Sequence, residues 1–106
     1  MTLSVYAVHD VKAATFATPF FVANEALARR AFIDLCRDAR TTVAQHPEDF
    51  ALFFMGFFEP ENGEFYRNPG ESQPVQILTG LEARVAALKC DKQAAELHGL
   101  AEDPAS

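Results

Sequence analysis

Phe50-Ala51-Leu52-Phe53-Phe54-Met55-Gly56-Phe57-Phe58, then Glu59-Pro60-Glu61-Asn62-Gly63, then Glu64-Phe65-Tyr66-Arg67, is the stretch that decides the fold. Its first nine residues are all apolar. That is half of what a membrane helix needs, and the run is rich in the aromatic residues that strands favour. The Asn-Gly step then favours positive φ and reverses the chain, so Glu64 to Arg67 returns as an antiparallel partner. Strict alternation predicts Phe50, Leu52, Phe54, Gly56 and Phe58 on one face and Ala51, Phe53, Met55 and Phe57 on the other. A strand apolar on both faces is covered on both or supplies a dimer surface.

Upstream, Leu3 to Val8 alternates as a strand does, His9-Asp10-Val11-Lys12 turns the chain, and Phe16 to Val22 forms a second strand. Pro19 cannot donate to a ladder and marks an edge or bulge there. Asn24 is a good N-cap with Glu25 in the first turn. From there to about Arg40, Ala28, Ala31, Phe32, Leu35 and Ala39 predict one apolar helical stripe. Thr41 to Asp49 reads as a connector, because Pro47 opposes helix continuation. Downstream, Asn68 to Pro74 is a polar loop and Val75 to Leu78 a fifth, short strand. Leu81 to Leu97 is helical, with Leu81, Val85, Leu88 and Ala95 lining one side and Gly99 as its stop. The fold class is α+β: a small antiparallel sheet of two hairpins with the short fifth strand, one helix packed on it, and a C-terminal helix on that face or on a partner subunit. Residues 1–78 form the core domain, 79–100 a helical extension of it, and 101–106 a flexible tail.

The 106 residues include ten Phe, two Tyr and no Trp. Ten rings without polar handles need a core or an interface, and so many in a small domain point to a homodimer. The net charge is −6, spread as −3 on residues 1–69 (six basic, nine acidic) and −3 on 70–106 (three basic, six acidic). Neither part is a basic module, which weighs against non-specific nucleic-acid binding driven by phosphate neutralisation. Cys36 and Cys90 stand far apart and outside any CxxC context, so they read as reduced thiols. The opening MTLSVYAVHD lacks the charged and continuously apolar regions of a signal peptide, and no membrane association is expected.

A second signal lies in the order of short motifs: Tyr6-Ala7-Val8-His9-Asp10 with Lys12-Ala13, Thr18-Pro19-Phe20-Phe21, Ala28-Arg29-Arg30-Ala31-Phe32 with Asp34-Leu35, and His46-Pro47-Glu48-Asp49-Phe50. In order and spacing these resemble the small nonstructural protein of gokushovirus-type (Microviridae) single-stranded DNA phages. The most specific piece is HPEDF followed by an apolar strand and an acidic turn. The resemblance covers residues 5–66. The strand after Asp49 is richer in Phe than that family's pattern, and the helix from Leu81 onward has no clear counterpart in its shorter members. The resemblance implies a protein of the host bacterial cytoplasm, absent from the mature virion, that assists viral DNA synthesis or packaging.

Residue by residue, the chemistry is sparse. His46, Glu48 and Asp49 put an imidazole and two carboxylates within four positions, but no second His or Cys stands at ligand spacing. With Pro47 and Phe50 they read as a rigid corner leading into the Phe-rich strand. His9-Asp10 reads as a turn, and His98 as a helix-end charge partner. No nucleophile elbow, phosphate-cradling loop or zinc motif is present, so no catalytic residue, metal or cofactor is expected and the chain reads as non-enzymatic. For single-stranded DNA the candidate cations are Arg29, Arg30, Arg37 and Arg40, joined by Lys12 and Arg67. Phe16, Phe53, Phe57 or Tyr66 would stack on bases if their face is open. The alternative is a protein-interaction adaptor that engages the host replisome, the phage initiator or the procapsid without touching DNA. A hydrolase built on His46, Glu48 and Asp49 is the least favoured reading.

Overall fold

The computed structural model describes residues 1–102 and, within the last helix, the side chains up to Cys90 together with Lys92. In chain order the elements are β1 (Leu3–Asp10), β2 (Thr15–Phe16), β3 (Phe20–Val22), α1 (Glu25–Arg37), α2 (Thr42–Gln45), a 3₁₀ turn (Pro47–Asp49), β4 (Phe50–Glu59), β5 (Glu64–Tyr66), β6 (Val75–Thr79) and α3 (Gly80–Glu102). The fold is α+β, an antiparallel sheet with a helical layer.

The two long strands, β1 and β4, pair antiparallel from Leu3↔Phe58 to Asp10↔Phe50. Each gives its other edge to two short strands. On β1 these are β2 (His9↔Phe16) and β3 (Val5↔Phe21); on β4 they are β6 (Leu52↔Leu78) and β5 (Phe58↔Phe65). The single strand expected from Phe16 to Val22 is therefore split, with Pro19 in the break. A proline has no N–H to continue the ladder.

The alternation expected along β4 is corrected by a bulge. Val5 pairs with Gly56 but Tyr6 pairs with Phe54, which leaves Met55 as the extra residue. Beyond it the side chains change face: Phe57 joins Phe54 on the helix side, their ring centroids 5.1 Å apart. Gly56 and Phe58 move to the side of Ala51 and Phe53. Gly56 takes φ +138°, and a Cβ there would lie 2.7 Å from the Tyr66 carbonyl oxygen, so the bulge needs glycine. Arg67 closes the gap on this edge between β6 and β5, its Nε donating to Met55 O (3.0 Å) and its Nη1 to Ser72 O (3.2 Å).

The main core cluster lies on the helix face of the sheet. Asn24 Oδ1 accepts the Leu27 N–H and starts α1. Ala28, Phe32 and Cys36 of α1 pack with Tyr6, Leu52, Phe54 and Leu78 of the sheet, Val43 of α2 and Ala83 of α3. The stripe on α1 is narrower than the sequence predicts, since Ala31 and Leu35 are exposed. The described part of the stripe predicted for α3 is on the wrong side; the Ala95 side chain lies outside the described residues. Gly80, Ala83 and Ala87 face inward, whereas Leu81, Val85 and Leu88 are 54%, 52% and 62% exposed. Close approach demands the small residues: a Cβ on Gly80 would overlap the Pro47 carbonyl. A reciprocal capping box starts α3, with Thr79 N–H donating to Glu82 Oε1 (2.9 Å) and Glu82 N–H to Thr79 Oγ1 (3.1 Å). The α3 backbone runs past Gly99 to Glu102; the expectations for the His98 side chain and for residues 103–106 lie outside the described residues.

The segment expected to be a bare connector contains α2, N-capped by Thr41 Oγ1 accepting from Ala44 N–H (3.1 Å). Burial pushes the Cys36 thiol and, with Glu25 nearby, the Tyr6 hydroxyl above their usual pKa values. Both cysteines are free, Cys36 buried and Cys90 exposed. Among the described residues no helix is long and apolar enough to cross a membrane.

Candidate functional site

With the helices packed on one side, the other face of the sheet is left open among the described residues. The register places Leu3, Val5, Ala7 and His9 of β1 there, beside Phe16 of β2, Phe21 of β3, Ala51, Phe53, Gly56 and Phe58 of β4, Phe65 of β5, and Gln76 and Thr79 of β6. The rings gather in two groups. His9, Phe16 and Phe53 touch one another with centroids 4.5 to 5.5 Å apart. Phe21, Phe58 and Phe65 form the second group at 4.8 to 6.2 Å. Val5, Ala7 and Ala51 are buried at the level of the strands, while Phe16, Phe21 and Phe65 remain 41%, 45% and 64% exposed. Aromatic faces at this exposure can stack on flat partners or pack against another apolar surface.

At the bulge lies a trough of about 500 Å³. Val5 and the side-chain-free Gly56 line it, with Pro19 toward the β1 edge, Phe65 beside it, and Arg67 and Glu71 toward the β4 edge; Met55, Phe57 and Tyr66 line it as well. Glu71 Oε1 accepts from Asn68 Nδ2 (3.3 Å). Its Oε2 is shielded from solvent and has no hydrogen-bond partner.

Of the four rings singled out in the sequence, the fold brings Phe16 and Phe53 together on the open face. Phe57 and Tyr66 instead stack on each other at 5.3 Å on the helix side. The bulge is the reason. Sequence reasoning missed Phe21, Phe58 and Phe65 as one group; the Met-Gly step inside an otherwise apolar strand was the available signal. Glu71 had none.

The candidate cations are not gathered beside the rings. Arg29, Arg30 and Arg37 lie on α1, in the layer behind the sheet. Arg29 Nε binds Glu25 Oε2 at 2.8 Å, and Arg37 Nη1 approaches Asp34 Oδ1 at 3.9 Å. Arg40 grips Asp38 with two hydrogen bonds of 2.9 Å, which holds that carboxyl below its usual range. Lys12, in the β1–β2 turn, stands 3.9 Å from Asp49 and is 79% exposed. Arg67 alone of the six reaches the trough, and it also braces the bulge.

His46, Glu48 and Asp49 do converge: one donor atom from each lies within 4.8 Å of the others, with His46 and Glu48 exposed. The corner they occupy has a visible structural task. Pro47 is buried against Gly80 at the start of α3. Asp49 N–H donates to His46 O (3.0 Å), and Asp49 O accepts from Val11 N–H (2.8 Å). A corner with two of its three groups open to solvent, and with this structural task, needs no ligand to explain it.

A family model described as Phage ORF5 protein matches residues 3–83. No match was found among curated proteins or among solved structures.

Proposed function

Because the chain belongs to the Phage ORF5 protein family and is thus a phage protein, we propose that it is a non-enzymatic accessory protein of a gokushovirus-type single-stranded DNA phage. It acts in viral genome synthesis or packaging in the host cytoplasm, by holding single-stranded DNA weakly on its open aromatic face. The observation that carries this reading is the arrangement of Phe16, Phe21, Phe53, Phe58 and Phe65 on one uncovered sheet face, with the helices on the other. A sheet with helices behind and exposed rings in front is a recurrent platform for unpaired bases, each stacked ring contributing about 1–3 kcal/mol.

Electrostatics sets the strength. A chain of net charge −6 gains little from phosphate neutralisation, and of the six candidate cations Arg67 alone lines the trough. Binding is therefore stacking-driven, with a shallow salt dependence. The test is fluorescence anisotropy of a labelled oligo(dT), titrated at low and at physiological salt. Saturable binding with a small salt slope supports the reading. No binding at either salt concentration would sink it.

A protein partner is the second reading, and one observation favours it. Among the described residues no Asp, Glu, Lys or Arg occupies a strand position on the open face, so a second copy of this chain, or an apolar patch on a replication or procapsid protein, can pack there without setting like charges against each other. Sedimentation showing a dimer that Phe65→Ser dissociates, together with no DNA binding, would establish it in place of the first.

A further inference from the structure

We propose that Phe65 and Arg67 together hold one nucleotide of a bound strand, the ring against its base and the guanidinium against its phosphodiester; this rests on the single-stranded DNA reading above. Both residues line the trough at the bulge. They stand two positions apart in an extended segment, a spacing that sends side chains to the same side about 7 Å apart and sends Tyr66 to the other. The Arg67 Cγ lies 3.3 Å from where a Cβ on Gly56 would stand, so the side chain leans over a β4 position that has none of its own. Phe65 is 64% exposed and Arg67 is exposed beside it.

The guanidinium is fixed without being neutralised. Its Nε donates to Met55 O at 3.0 Å and its Nη1 to Ser72 O at 3.2 Å, two uncharged acceptors that hold the side chain and leave its charge. Among the described residues its Nη2 has no hydrogen-bond partner, and no carboxylate stands within ion-pair distance. Arg29 and Arg40, by contrast, are paired with Glu25 and Asp38. A tethered guanidinium loses little rotamer freedom on binding, and a phosphate oxygen is the acceptor that its remaining N–H groups suit. Glu71 lines the same trough, but Asn68 holds one of its oxygens and the other is sealed from solvent. It acts on a bound strand only through its charge, which opposes that of Arg67. One cation gives one phosphate contact, and so a logarithmic salt slope of about −0.7.

The experiment measures anisotropy of two labelled oligo(dT) probes of one length, one with its phosphodiester backbone and one with an uncharged methylphosphonate backbone, on the full chain and on Arg67→Gln. Glutamine keeps a donor for the Met55 carbonyl and removes the charge. The substitution is expected to weaken the phosphodiester about threefold, the scale of one exposed ion pair, and to flatten its salt slope. Methylphosphonate binding is expected to stay unchanged, which also shows that the variant is folded. No loss on either probe overturns the phosphate contact and leaves the stacking reading standing. Where both probes are lost together, the bulge has failed and Glu71→Gln decides, since it removes the opposing charge and keeps the Asn68 contact. Tightening of the phosphodiester alone, by about twofold, upholds the contact, and any other result from that variant overturns it. Failure of the parent to bind either probe overturns both readings.

Discussion

At Gly56 the backbone adopts φ +138°, and the space a Cβ would take is filled by the Tyr66 carbonyl oxygen. Gly56→Ala must strain the bulge or displace β5, and it is expected to lower stability by roughly 2 kcal/mol or more in urea denaturation. An unchanged midpoint would show that the bulge is not fixed by this residue. Glu82 supports a second residue-scale expectation. Hydrogen bonds from the Thr79 backbone and side chain hold its carboxyl below the ordinary value of 4.5. A depressed folded pKa means that the contribution is complete above the unfolded value and is lost as pH falls through the folded one. The melting-temperature gap between the parent and Glu82→Ala should thus be full at pH 7 and close on acidification below about 4.5. Asp38 and Glu59, held down by Arg40 and by the Thr2 hydroxyl, lose their contributions in the same acidic range. They do so in both proteins, so the gap isolates Glu82. A gap independent of pH would remove the capping carboxylate from the account.

Among the elements, β1, β4, β5 and α1 were legible because each carries its own local signal: alternation, an apolar aromatic run, the Asn62-Gly63 turn, or the Asn24 cap. α3 was legible as a helix but not in its orientation. Periodicity finds apolar residues and favours the largest, whereas packing against Pro47 and α1 selects the smallest: Gly80, Ala83 and Ala87. Two substitutions separate these alternatives. Ala83 is fully buried, so Ala83→Leu overpacks the seam and should cost about 1–3 kcal/mol. Leu88→Ser, on a side chain 62% exposed, should stay within about 0.5 kcal/mol of the parent. Chemical denaturation of the two variants checks both, and a reversed order would mean that α3 packs through its leucines. α2 was not legible for a related reason. Pro47 does end a helix, but the Thr41 cap sits far enough before it for one turn to form.

At the scale of the molecule, the helical layer and the ring face are back to back. This separates the α1 arginines from Phe16 and Phe53, a fact that neither sequence neighbourhood nor composition reveals. The phenylalanines were legible as apolar; which of them share a face depends on one bulged residue, Met55, and Glu71 reaches the trough only through the path of the loop after β5. The same geometry yields opposite expectations for two double substitutions. Phe16→Ala with Phe65→Ala removes two exposed rings from the face, and oligo(dT) affinity should fall about tenfold or more, since each stacked base is worth about 1–3 kcal/mol. Arg29→Ala with Arg30→Ala alters the opposite layer, where Arg29 is already paired with Glu25, and both the affinity and its salt slope should stay within about twofold of the parent. Were phosphate neutralisation the driving term, the arginine pair would flatten the salt dependence and the ring pair would leave it alone. That result would move the DNA to the helical layer and leave the aromatic face to a protein partner.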